Sequence, residues 1–62
     1  MERAAILRLV RSQLDSMKRE RDHMERMAHL GDRTAEAAFT ALDMEIRAVE
    51  SAVKKLWMER PP

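Results

Sequence analysis

Glu20 and His23 stand three residues apart, a spacing that puts a carboxylate and an imidazole on adjacent positions of one helical face. In di-iron four-helix proteins two such Glu-x-x-His units, joined by one glutamate from each of two further helices, enclose a pair of metal ions. That chemistry needs every ligand to project inward. Here Glu20 and His23 both fall away from the apolar stripe marked by Met17, Met24 and Ala28, and Glu45 is the one carboxylate of the second half at a matching height. The expectation is no metal site and no cofactor. His29 follows Glu25 by four residues and reads as a surface pair, while His23 and His29, six apart, do not share a face.

Nucleophilic chemistry finds no better footing. Ser12, Ser16, Ser51, Thr34 and Thr40 have no histidine or acid at a spacing that one helix could align with them. A phosphate-cradling loop needs several glycines, and the chain has one. The expectation is a protein that is not an enzyme.

Arg21 interrupts an otherwise apolar stripe. Its stem can lie on a core while the guanidinium reaches water, it can pair with Asp43 or Glu45, or it can set register as a polar seam residue. Trp57 sits one position beyond the stripe of the second half. Tryptophan is enriched in binding hot spots, so Trp57, with Met58, Leu9, Ile6 and Arg60, is the candidate surface for a partner. Six methionines fill core gaps or serve adaptable contacts.

These side chains are positioned by two helical stripes. Leu7, Val10, Leu14, Met17, Arg21, Met24 and Ala28 recur at alternating steps of three and four, and Ala35, Phe39, Leu42, Ile46, Val49, Val53 and Leu56 do the same downstream. Folding the chain at Gly31-Asp32 joins them as Leu7 with Leu56, Val10 with Val53, and so on to Ala28 with Ala35, every pair summing to 63. One register therefore satisfies an antiparallel coiled-coil hairpin from end to end. The expected class is all-α, a single helical hairpin over residues 1–62: a helix over about 2–30, a turn at 31–34, a helix starting at Arg33 or Ala35 and running to about 59, and a terminal Pro-Pro tail. Gly31 supplies the left-handed end of the first helix. Asp32 or Thr34 caps the second, with Glu36 in its first turn.

Size sets the next constraint. Sixty-two residues bury only roughly 60% of their unfolded surface when they fold alone. Cysteine is absent, so association is the route left for added stability. Ala38, Ala41, Ala48 and Ala52 flank the second stripe at helical spacing, and Ile6, Leu9 and Met27 flank the first. The four alanines and Met27 are the candidate dimer interface, and a homodimeric four-helix bundle is the expected assembly. Charge argues in the same direction. Charged residues make up 37% of the chain yet nearly cancel to a net +1, with seven basic and five acidic residues in positions 1–31 and five and six in the remainder. Neither half has a nucleic-acid footprint. No apolar run approaches the roughly 18 residues of a membrane span, and Arg3, Arg8 and Arg11 break the only signal-peptide candidate, so no membrane partner and a cytoplasmic address are expected.

The leading expectation is a self-associating interaction module that regulates a protein partner by binding, as inhibitor, adaptor or assembly factor, in the manner of small bacterial or phage accessory proteins. In length and hairpin layout the chain also resembles the plasmid-encoded repressor-of-primer family, dimeric four-helix bundles that bind paired RNA loops. That resemblance spans the whole chain without a shared motif, and implies RNA as an alternative partner, with Arg8, Arg11, Lys18 and Arg19 as phosphate contacts interrupted by Asp15 and Asp22. A third expectation is an oligomerisation segment of a longer protein, ending at Pro61-Pro62. Leu42-Asp43-Met44-Glu45-Ile46 resembles the LDxxI part of the sporulation phosphatase family's second helix, but Phe39 replaces that family's serine. Those residues are read here as core spacing.

Overall fold

The computed structural model describes residues 2–58, with side chains from 2 to 56. Two helices, α1 (Arg3–His29) and α2 (Arg33–Met58), pack side by side as an antiparallel hairpin, a rod of 51 × 17 × 12 Å. Neither helix contains glycine or proline, so no residue inside them breaks the ladder.

The reversal takes three residues. At the end of α1, Gly31 N–H donates to the Ala28 carbonyl (3.0 Å) and Asp32 N–H to the Met27 carbonyl (3.2 Å), the paired bonds of a Schellman motif. This geometry requires a left-handed residue, and Gly31 has φ 97°. A Cβ there would meet nothing within 4 Å, so the demand for glycine comes from the backbone alone. Asp32 closes α1 and opens α2 at once. Its Oδ1 accepts the Ala35 N–H (3.0 Å), and its carbonyl accepts the Glu36 N–H (3.1 Å). Asp32, not Thr34, is therefore the N-cap, and α2 begins at Arg33. Asp32→Ala is expected to cost about 1 kcal/mol in chemical unfolding followed by circular dichroism. A loss under a quarter of that would show that the cap bond does not hold the turn.

The other end is held differently. Glu2 precedes α1 in extended conformation and offers no side-chain cap. Arg3 instead reaches across, its guanidinium donating to the Leu56 carbonyl (3.1 Å). That cation sits where the last carbonyls of α2 leave partial negative charge.

Burial follows the two stripes. Leu7, Leu14, Ala35 and Ile46 are buried, and Ile46 is completely so. Val10, Met17, Arg21, Met24, Ala28, Phe39, Leu42, Val49 and Val53 are half-buried, because two helices cover a seam from one side only. Leu56 departs from the pattern at 46% exposure. A straight helix drifts roughly 20° per heptad against a seven-residue repeat, and by the last rung Leu56 has turned toward a flank. No helix among the described residues is long and apolar enough to cross a membrane.

Candidate interaction surface

The seam divides the rod into two long faces of different chemistry. Ion pairs across the helices mark the first. Lys18 Nζ lies 3.0 Å from Glu50 Oε2. Arg21 Nη1 lies 2.9 Å from Asp43 Oδ1, and the other Asp43 oxygen, Oδ2, receives Arg47 Nε at 3.1 Å from one turn further along α2. Arg21 therefore snorkels from the seam onto a carboxylate. Its partner is Asp43 rather than Glu45 because Asp43 lies on the flank of α2 that faces Lys18 and Arg21, whereas Glu45 lies on the opposite flank. Arg21 and Asp43 are each 25% exposed, which places this pair deeper than Lys18–Glu50 and makes it the pair with the greater energetic weight.

Between the helices on the same face runs a groove of about 500 Å³ lined by Arg11, Leu14, Asp15, Lys18, Glu50, Val53 and Lys54. Leu14 and Val53 form its floor and charged side chains form its rim. Such a groove can seat a side chain from another molecule.

The second face is apolar at its ends and, among the described residues, carries no cross-helix ion pair. From α2 it takes Ala38, Ala41, Glu45, Ala48, Ala52 and Leu56, spaced three or four residues apart. From α1 it takes Ile6, Leu9, Gln13, Ser16, Glu20, His23 and Met27 at matching intervals. An antiparallel pair puts these two flanks on one side of the rod, since the opposite flanks are joined by the ion pairs. Ala38 and Met27 are half-buried against the seam, while Ala41, Ala48 and Ala52 are exposed. Ile6 and Leu9 are 41% and 62% exposed. Leu9 also borders a shallower hollow of about 380 Å³ with Ala5 and Arg8.

No family model, curated protein or solved structure matches this chain.

The remaining sequence candidates distribute as follows. Ile6 and Leu9 lie together near the open end. The side chains of Trp57 and Met58, and all of Arg60, lie outside the described residues, as does the Pro61-Pro62 tail. Glu20 and His23 are both exposed, and among the described residues no three His, Cys, Asp or Glu side chains are grouped to hold a metal ion. His29 does meet Glu25, but through the backbone: its Nδ1–H donates to the Glu25 carbonyl at 2.8 Å. Of the basic residues named for RNA, Lys18 is tied to Glu50, Arg11 lines the groove, and Arg8 and Arg19 are exposed. Sequence reasoning missed the Lys18–Glu50 pair and Arg47. Their signal was available: Lys18 and Glu50 flank the rungs Met17–Ile46 and Leu14–Val49 on the same side, and Arg47 follows Asp43 by four residues.

Proposed function

We propose that this chain is a cytoplasmic, non-catalytic interaction module that self-associates into a homodimeric four-helix bundle and acts on a protein partner by occupancy. One observation carries the reading. The hairpin exposes 5318 Å², whereas a folded monomer of 7.3 kDa exposes only about 4,200 Å². The surplus of about 1,100 Å² exceeds the ~800 Å² that each partner contributes to a standard interface. The apolar face supplies the place to bury it. On α2 its side chains are mostly alanine, so a second hairpin can approach closely, and no ion pair among the described residues has to be broken. The ion-paired face stays outward. Leu9, with Ala5 and Arg8 beside it near the open end, is the surface left for the protein partner, together with Trp57, Met58 and Arg60.

Sedimentation equilibrium on the full chain tests self-association. The expected result is a species of twice 7.3 kDa. Ala48→Glu, which puts a charge in the middle of the apolar face, is expected to weaken association by at least about tenfold. Ser51→Glu, on the side of α2 away from the seam, is expected to leave it unchanged. A well-folded monomer at tens of micromolar, or equal effects of the two substitutions, would overturn the proposal.

A further inference from the structure

Resting on the self-association proposed above, we infer that the two copies pack head to tail, with the two-fold axis crossing the rod at Glu45, so that α2 lies antiparallel against α2 of the partner subunit.

The inference comes from a pattern that reads alike in both directions to within one residue. Ala38 and Ala41 stand seven and four residues before Glu45, and Ala48 and Ala52 stand three and seven after it. An isologous contact matches a surface with its own reversal. Reversing this stripe about Glu45 sets Ala38 against the partner's Ala52 and brings Ala41 within one residue of the partner's Ala48. Small residues then meet small residues along α2, and the two backbones can approach closely. In the seam register Glu45 lies level with Lys18, so the same reversal on α1 sets Gln13 against the partner's His23 and Ser16 against the partner's Glu20. The Ser16 hydroxyl can donate to the partner's Glu20 carboxylate and the Gln13 amide can pair with the partner's His23 ring, each twice per dimer, so the polar centre of α1 is satisfied where the interface buries it.

The alternative two-fold, along the rod, brings both turns to the same end and lays α1 on the partner's α2. Gln13 then lies between the partner's Ala48 and the partner's Ala52, and Glu20 between the partner's Ala41 and the partner's Glu45. Neither polar group gains a partner in the interface, and an unpaired charge there is costly. In the head-to-tail form Glu45 meets the partner's Glu45 at the axis, and like charges directly opposed repel.

Two measurements on the full chain decide the matter. Because the chain lacks cysteine, Arg33→Cys takes a single spin label at the exposed start of α2, beside the turn. Head-to-tail packing puts the two labels at opposite ends of the bundle, about 40 Å apart given a 1.5 Å rise per residue along α1. A distance of about 20 Å or less in a species of dimer mass overturns the orientation and leaves self-association standing. A monomer mass with no dipolar signal overturns both. In the second measurement, Glu45→Gln is expected to tighten the dimer about fivefold by removing the repulsion at the axis. An unchanged or weaker dimer places Glu45 away from the axis and overturns the register.

Discussion

Ile46→Ala is expected to cost about 3 kcal/mol of folding stability, the middle of the range for removing a large aliphatic side chain from a packed site. Ile46 is the only completely buried large side chain among the described residues. It sits at the middle of the rod, opposite Met17 in the seam register, with Leu14 and Leu42 as neighbouring rung members. A seam of two helices has few atoms with which to close a cavity, so relaxation recovers little of the loss. A loss of this size is a large part of the total for so short a chain. Urea unfolding followed at the helical circular dichroism band is the measurement, with chain concentration held constant because association raises apparent stability. A change below about 1 kcal/mol would mean that the hairpin does not depend on its central rung. Val49→Ala, at a half-buried rung, serves as a scale and is expected to cost about half as much.

The second large effect belongs to Asp43. Its two oxygens hold Arg21 and Arg47, and Arg21 starts from a seam position. Asp43→Ala is expected to cost about 2 kcal/mol, because the guanidinium then stays partly buried without its carboxylate. Arg47→Ala is expected to cost under about 0.5 kcal/mol, since Arg47 is 77% exposed and its removal leaves the Arg21–Asp43 pair intact. The revealing combination is Arg21→Met with Asp43→Ala. Methionine completes the apolar stripe at nearly the same length, and with no cation left in the seam the missing carboxylate has nothing to compensate. The double variant is expected to recover most of the stability lost in Asp43→Ala. If the two substitutions add instead, Arg21 and Asp43 are not coupled and the ion pair is a surface decoration. Recovery above the native value would show that Arg21 is kept for register or partner choice at a cost in stability, a known use of polar seam residues.

Most of the hairpin was legible because its parts obey local rules. The stripes announce two helices at the helical period, and the single internal glycine sits between them. A left-handed residue is needed where α1 ends, and Gly31 is the one residue that adopts it without strain. The pairing sum of 63 follows once the bend is placed there. The cap was less legible. Asp32 and Thr34 are both good caps, and the choice rests on how soon the chain can restart a helix after the Schellman turn. Asp32 wins because it can serve both helix ends within a three-residue reversal.

The interaction surface was only half legible. The alanines, Ile6, Leu9 and Met27 stand out as surplus apolar residues on each helix taken alone. That they share one face of the rod, while Lys18, Arg21, Asp43 and Glu50 share the other, belongs to the pair of helices. The Lys18–Glu50 bond spans more than a rung, and no pairing sum predicts it, since long side chains reach along the helix toward the preceding turn.

The sequence alone determined the helical periods and the place of the bend, from which the expected rung register follows. Only the tertiary structure decided which flanks lie together, that Arg21 takes Asp43 over Glu45, and how far the last rung at Leu56 opens. The physical reason is one of range. Periodicity, capping and glycine conformation are set by a few neighbouring residues, whereas the choice of flank and of ion-pair partner depends on the relative rotation and stagger of two helices, which come into being only when the seams meet.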